Sequence, residues 1–146
     1  MTAEERRAWI MGILAAVGYG IYLAIVISVA GRGELTEVDY VPVLLWTVGA
    51  SIAASIVLSI VASIASRSAG DRDADAKDHR DAELYRRGQY VGLWFVAAGA
   101  ILALVIAMAD GQAFWIANTI YLAFTLSAVA TSVVRVVGYR RGFSAW

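Results

Sequence analysis

The sequence predicts an all-α, integral membrane, four-helix up-and-down bundle that occupies 1–146 as a single transmembrane domain. Of its 146 residues 60% are hydrophobic, and the mean hydropathy of +0.68 is more apolar than an ordinary soluble core can hide. Four apolar stretches follow one another, each near the roughly 20 residues that cross a bilayer. The predicted helices are 8–30, 41–66, 76–109, which includes a cytoplasmic extension, and 113–137.

Residues near the helix ends support this division of the chain. The first stretch follows Arg6 and Arg7, but it exceeds the roughly 7–15 apolar residues of a signal peptide, so we expect it to remain as a membrane helix. Pro42 lies in the first turn of the second helix, where its missing N–H removes no hydrogen bond. We expect Asp110 to cap the fourth helix and Gly111 to ease a tight turn before it.

Basic residues lie almost entirely on one side of the predicted membrane. Two precede the first helix, six lie in the loop 67–87 and three follow or end the fourth helix, whereas Arg32 alone lies in the remaining loops. The positive-inside rule therefore predicts a multi-pass protein with both termini and this loop in the cytoplasm. The five tryptophans fall near the two predicted boundaries, where amphipathic indoles prefer to lie.

Several chemistries are excluded by residues that the chain lacks. Without cysteine there is no disulfide, no thiolate metal site and no quinone-coupled disulfide formation. The only histidine, His79, cannot supply the two imidazoles of a haem held within a bundle. The predicted lipid-depth segments hold no carboxylate, unlike small multidrug exporters. We expect no cofactor, no metal and no catalytic residue.

Polar side chains recur along one side of the second and of the fourth helix. Their spacing is four in the second helix, and three or four in the fourth. In lipid such side chains either bond helices together or line a permeation path, and we favour packing. Arg135, near the cytoplasmic end, is expected to extend into the headgroups. The candidate residues for path or packing are Ser51, Ser55, Ser59, Ser63, Asn118, Tyr121, Thr125, Ser132 and Arg135.

The loop before the third helix is dense in charge. It lacks the glycine and the distal glutamate of a calcium loop, and it lacks the longer motif of lipid-phosphate transferases. Opposite charges instead recur three or four residues apart, as in Glu83 and Arg87, which is typical of an exposed helix. The third helix is therefore expected to extend into the cytoplasm. Its candidate partner surface consists of Asp78, Arg80, Asp81, Glu83, Arg86 and Arg87.

From Asp78 to Gly92 the chain reads D-H-R-D-A-E-L-Y-R-R-G-Q-Y-V-G. This segment resembles the junction before the third helix in a group of uncharacterised small bacterial four-helix membrane proteins. They carry an Asp-Glu-Arg-Asp-like motif there and an Arg-Gly at the helix entry, and His79 takes the place of the glutamate. The resemblance implies a bacterial cytoplasmic (inner) membrane protein. Such proteins are frequent neighbours of small helix-turn-helix regulators. The resemblance therefore also implies a regulatory partner.

These observations favour a non-enzymatic interaction or regulatory protein that uses its cytoplasmic loop and helix. The alternative is an oligomeric channel or transporter with a path lined by the polar stripes of helices 2 and 4. An enzyme is not expected, because no activated nucleophile or acid and base pair is visible, and a lipid-organising role is the remaining class. The expected partners are the lipid bilayer, a cytoplasmic protein and further copies of the chain, with no nucleic acid. Self-association is expected through the small-residue faces of the helices, which include Gly12, Ala16, Gly20 and Ala24 of the first helix and Gly88 and Gly92 of the third.

Overall fold

The computed structural model describes residues 3–31, 33–67 and 74–141, with side chains at 5–31, 33–58, 60–61, 64 and 82–140. This part of the chain is all-helical and contains no strand. All four long helices are long and apolar enough to cross a membrane, which indicates a multi-pass membrane protein. They are α1 (Ala3–Ala30), α2 (Tyr40–Arg67), α3 (Ala74–Met108) and α4 (Ala113–Arg141), with one 3₁₀ turn (Leu35–Glu37) between α1 and α2.

Two helices extend by four or five residues beyond their predicted bounds, whereas the other two differ from theirs by one or two residues at each end. The first helix begins at Ala3 rather than at residue 8, and the fourth ends at Arg141 rather than at residue 137. Hydropathy marks only the part of a helix that fits in lipid, whereas backbone hydrogen bonding continues beyond it. Acidic residues near the start of α1 and basic residues near the end of α4 also favour these extensions, because they complement the helix dipole.

The turn between α3 and α4 differs from the expectation that Asp110 caps α4. Asp110 has a φ of 54°, in the left-handed region, and its N–H donates to the Ala107 carbonyl at 3.2 Å. The N–H of Gly111 donates to the Ile106 carbonyl at 2.9 Å, which completes a Schellman motif. Asp110 therefore ends α3. The expected cap is wrong because α4 begins at Ala113, as predicted, and the residue directly before it is Gln112, whose carbonyl accepts the first hydrogen bonds of the helix.

The helices pack in the order α2, α1, α4, α3. Helix α1 packs against α2 and α4, and α4 packs against α3; within the described residues no other pair of helices packs along its length. Neighbours α1 and α4 run antiparallel, because Gly12 lies against Ser132 while Tyr22 reaches Asn118. The two central helices, α1 and α4, therefore hold the arrangement together, and the outer sides of α2 and α3 carry large exposed apolar side chains.

Close contact between α3 and α4 depends on glycines of α3. A Cβ atom at Gly92 would lie 2.5 Å from the Thr131 hydroxyl oxygen and 2.7 Å from that of Ser127, so no larger residue fits without movement. One turn away, the Thr131 hydroxyl donates to the Gly88 carbonyl at 3.1 Å. Small residues let membrane helices approach closely enough for such contacts. The contact between α3 and α4 therefore continues as far as Gly88, directly after the charged first part of α3.

Candidate functional site

Asn118 lies at the contact between the two central helices. Its Oδ1 accepts a hydrogen bond from the Tyr22 hydroxyl at 2.9 Å, and its Nδ2 donates to the Phe114 carbonyl at 2.8 Å. Tyr22 is fully buried. An amide in a bilayer needs internal partners, because the lipid offers none. Asn118 has one hydrogen-bond partner in the neighbouring helix α1 and one in its own helix.

Thr125 and Ser132, further along the same side of α4, are both buried. The Thr125 hydroxyl donates to the Tyr121 carbonyl at 3.0 Å, and that of Ser132 donates to the Ala128 carbonyl at 2.9 Å. Both bonds join a side chain to the backbone four residues earlier in the same helix. Ser132 also lies against Gly12 of α1, where an added Cβ would approach the Ser132 Cβ to 2.7 Å.

Tyr121 belongs to a set of aromatic rings that we call the tyrosine cluster: Tyr19 and Tyr22 of α1, Tyr40 of α2, and Phe114 and Tyr121 of α4. The Tyr121 ring packs edge-on against Tyr19 and against Tyr22, with centroids 5.1 Å apart in both pairs. Tyr40 packs edge-on against Phe114, also at 5.1 Å. Edge-to-face pairs at this distance are favourable. The cluster therefore joins three helices at one end of the molecule.

Two serines of the α2 stripe have described side chains; both bond to their own helix, and Ser51 also lies against α1. The Ser51 hydroxyl donates to the Thr47 carbonyl at 2.7 Å and lies against Gly18 of α1. The Ser55 hydroxyl donates to the Ile52 carbonyl at 2.8 Å. The side chains of the other two serines lie outside the described part of the chain: Ser59 and Ser63.

The polar stripes of α2 and α4 are not brought together. Ser51 meets α1 at Gly18, whereas Ser132 meets α1 at Gly12. Because α1 separates the two stripes, they do not share a lining among the described residues. A recess on the surface of α2 is bordered by none of the predicted stripe residues; its lining is Leu45, Trp46, Gly49, Ala50 and Ala53.

Arg135, the last candidate of the α4 stripe, contacts α3. Its guanidinium carbon lies 5.3 Å from the centroid of the Tyr85 ring, within the range of a cation–π interaction. Tyr85 was not among the predicted site residues. Its signal in the sequence is weak but readable, because Leu84 and Tyr85 are two large side chains inside a charged segment. Leu84 is buried and lies against Gly138 of α4.

The predicted partner surface falls on the first part of α3. Glu83 and Arg87 form the expected ion pair, with 2.8 Å between Oε1 and Nε, and both side chains are exposed. Arg86 is exposed as well. The backbone of the three remaining members is helical, while their side chains lie outside the described part of the chain: Asp78, Arg80 and Asp81.

A second pair, which the sequence did not reveal, joins the two ends of the chain. The Arg140 Nε lies 2.9 Å from the Glu5 Oε1, and the Arg140 guanidinium carbon lies 5.9 Å from the centroid of the Trp9 ring. The Glu5 side chain is 8% exposed and that of Arg140 is 59% exposed. The partners are 135 residues apart in the chain, so no local pattern indicates the pairing.

Fold and site together define the class of protein. It is a small all-helical protein with four helices able to cross a membrane, and one of them, α3, begins with a charged segment. Among the described side chains, no three His, Cys, Asp or Glu residues lie together as a metal site would require. Comparison of the chain with known protein families, with curated proteins and with solved structures finds no match.

Proposed function

We propose that this chain is a non-enzymatic interaction or regulatory protein of the membrane, which presents the first part of α3 to a cytoplasmic protein. The observation that carries the proposal is the continuity of α3. This helix begins at Ala74, fourteen residues before Gly88. The charged residues of α3 lie in this first segment, which continues into the apolar part of the helix without a break. We call the residues from Ala74 to Arg87 the α3 extension. A helix of this composition is not needed to cross lipid, so it is free to serve another role.

Contacts with α4 hold the α3 extension in place. Leu84 is buried against Gly138, and the guanidinium of Arg135 packs on the ring of Tyr85. Because Leu84 and Tyr85 lie close to Gly88, these contacts hold the end of the extension nearest Gly88 against α4. A partner that binds it therefore pays less conformational entropy than one that must first order a loose tail.

The residue types of the α3 extension suit a partner of basic or mixed charge. Tyr85 is 49% exposed, and its hydroxyl accepts a hydrogen bond from Gln89 Nε2 at 2.9 Å. Asp78 and Asp81 precede Tyr85 by seven and four residues, spacings that share one side of a helix. The exposed ion pair of Glu83 and Arg87 adds both charges. Complementary charge of this kind gives specificity and a binding strength that falls with salt.

The proposal includes an orientation in the membrane. We infer an up-and-down arrangement in a bacterial inner membrane with both termini in the cytoplasm. Its support is that α1 begins and α4 ends at the same end of the molecule, where Glu5 meets Arg140. The basic side chains that the structure describes belong to the parts of α1, α3 and α4 that meet at this end, as the positive-inside rule requires of a cytoplasmic face: Arg6, Arg7, Arg86, Arg87, Arg135 and Arg140.

The transport alternative has less support. A path between α2 and α4 needs polar groups that face each other, whereas the Ser51 and Ser132 hydroxyls bond to their own backbones and meet α1 at separate glycines. A hydroxyl bonded in this way has already used its one donor, so it can offer a solute only its acceptor lone pairs.

The experiment compares two variants that each lose three carboxylates. In the first, Asp78, Asp81 and Glu83 become Ala; in the control, the short loop between α1 and α2 loses its three carboxylates instead, through Glu34→Ala, Glu37→Ala and Asp39→Ala. Tagged chains are isolated from native membranes, and the recovered proteins are quantified by mass spectrometry.

We expect a cytoplasmic protein to be recovered with wild type and with the control, and about tenfold less of it with the α3 variant, as is reasonable for the loss of several interface charges. Additional salt should lower recovery with wild type. Equal recovery of the same proteins with all three chains would refute the partner surface.

A further inference from the structure

Arg140 is held from two sides at the end of α4. Its Nε bonds to the buried carboxylate of Glu5, and its guanidinium carbon lies 5.9 Å from the centroid of the Trp9 ring. The side chain is nonetheless 59% exposed. An arginine on a surface ordinarily samples many rotamers, so one fixed by an ion pair and an aromatic ring has lost part of that freedom in advance.

The guanidinium keeps donors for a ligand. Among the described residues, the bond to Glu5 is the only hydrogen bond that Arg140 makes, so its two terminal amino groups remain available. They form a planar fork that matches two oxygens of a phosphate group.

The described charged side chains at the start of α1 and the end of α4 are mostly positive. Glu5 contributes one negative charge, while Arg6 and Arg7, the next two residues of α1, contribute two positive charges beside that of Arg140. The described side chains of these two helix ends therefore carry a net positive charge. An anion gains from this arrangement, and anionic lipid surfaces attract basic residues next to membrane helices.

Apolar surface lies next to the fork. Trp9 is 40% exposed, as suits an indole at a membrane boundary. One and two turns further into α1, Ile13 and Val17 are exposed, and at the corresponding depth of α4 so are Val137 and Val133. A soluble phosphate would leave this surface unused, whereas the acyl chains of a phospholipid would cover it.

We propose that the paired ends of α1 and α4 bind the headgroup of an anionic phospholipid, with its phosphate on Arg140 and its acyl chains along the exposed apolar side chains below. We call this place the α1–α4 headgroup site. It is separate from the α3 extension and needs no protein partner, so either proposal can fail while the other holds.

The experiment measures lipid binding to the full-length chain in detergent. Phosphatidylglycerol and phosphatidylcholine with identical acyl chains are titrated, and the bound fraction is measured by native mass spectrometry. We expect phosphatidylglycerol to bind about tenfold more tightly, the scale of one charge-assisted contact. Equal affinity for the two lipids would overturn the proposal, and this comparison depends on no variant.

Variants locate the site. Arg140→Gln should remove most of the preference for phosphatidylglycerol, whereas Arg86→Gln, which removes the same charge from exposed α3, should keep it. Arg140→Lys retains the charge beside Glu5 but loses the planar fork, so we expect about threefold weaker binding. Equal losses for the Arg140 and Arg86 variants would overturn the site in favour of diffuse attraction, and an unchanged affinity for Arg140→Lys would overturn the fork.

A competitor separates the lipid from a free phosphate. Glycerol phosphate carries a phosphate monoester, whose negative charge is at least that of the lipid phosphodiester, but no acyl chain. We expect millimolar glycerol phosphate to leave bound phosphatidylglycerol in place. Its displacement at that concentration would show a site for soluble phosphate esters and overturn the lipid as the occupant.

Discussion

The Tyr22 hydroxyl of α1 donates a 2.9 Å hydrogen bond to the Oδ1 of Asn118 in α4. Tyr22 has no exposed surface, and the bond joins the two central helices of the row. Asn118 also donates to the Phe114 carbonyl, so the amide of this residue is bonded through both of its polar atoms. The contact therefore explains an asparagine at lipid depth without a solute or an ion.

Removing this bond should destabilise the protein slightly, and the effects of changing its two partners should not be additive. Tyr22→Phe should lower the free energy of unfolding by about 1 kcal/mol, because Oδ1 of Asn118 loses its partner. Combined with Asn118→Leu, the loss should be smaller than the sum of the single losses, with a coupling of about 0.6 kcal/mol. Reversible unfolding in mixed detergent micelles measures all four chains. Tyr90→Phe, at a 66% exposed position, is the control, and strictly additive losses would contradict the bond.

The close approach of α3 and α4 predicts that a glycine at this contact tolerates a methyl group less well than a glycine in open space. Gly92→Ala should lower the free energy of unfolding by about 1–3 kcal/mol, because the new Cβ would lie 2.5 Å from the Thr131 hydroxyl. Gly20→Ala adds the same methyl group to α1 where nothing lies within 4 Å, so it should leave stability unchanged or raise it. Thermal unfolding in one detergent compares the two. Equal effects at both positions would contradict the contact.

The polar side of α4 predicts that the chain conducts no solute along it. Thr125→Val keeps the shape of the side chain and loses only a hydroxyl bonded to the Tyr121 carbonyl, so stability should change by about 0.5 kcal/mol or less. Flux of ions and small solutes into vesicles should be the same with wild type, with this variant and with no protein. A solute whose flux needs the wild-type chain and changes with Thr125→Val would favour the transport alternative.

The proposed orientation predicts the reactivity of single cysteines, which is unambiguous because the chain has none of its own. A cysteine at Glu34, an exposed position between α1 and α2, should react with a membrane-impermeant thiol reagent in intact cells. One at Ser68 should react only after permeabilisation. The reverse pattern would contradict the orientation.

Helix number and type were predictable because hydropathy is summed over long stretches. Four runs near the length of a bilayer leave little freedom for any other fold, and the short turn Asp110-Gly111-Gln112 marks the third boundary. The helix ends were less predictable. They depend on backbone hydrogen bonds at single residues, as the left-handed Asp110 shows by ending α3 rather than capping α4.

Contacts between helices were the least predictable part. Periodicity places Asn118 and Thr125 on one side of α4, but it does not say which helix lies against that side. The structure puts α1 there, through Tyr22. Glu5 and Arg140 illustrate the same limit, because their pairing depends on the order in which the helices pack.

The most direct test of the proposed function is photo-crosslinking in living cells. A photo-reactive residue replaces Arg86, which is exposed in the α3 extension, or Glu37, which is exposed in the turn between α1 and α2. We expect a discrete crosslinked cytoplasmic protein from position 86 alone, and its loss when Asp78, Asp81 and Glu83 are also changed to Ala. Crosslinks from position 86 only to lipid or to other copies of the chain would contradict the proposal that the α3 extension binds a cytoplasmic protein.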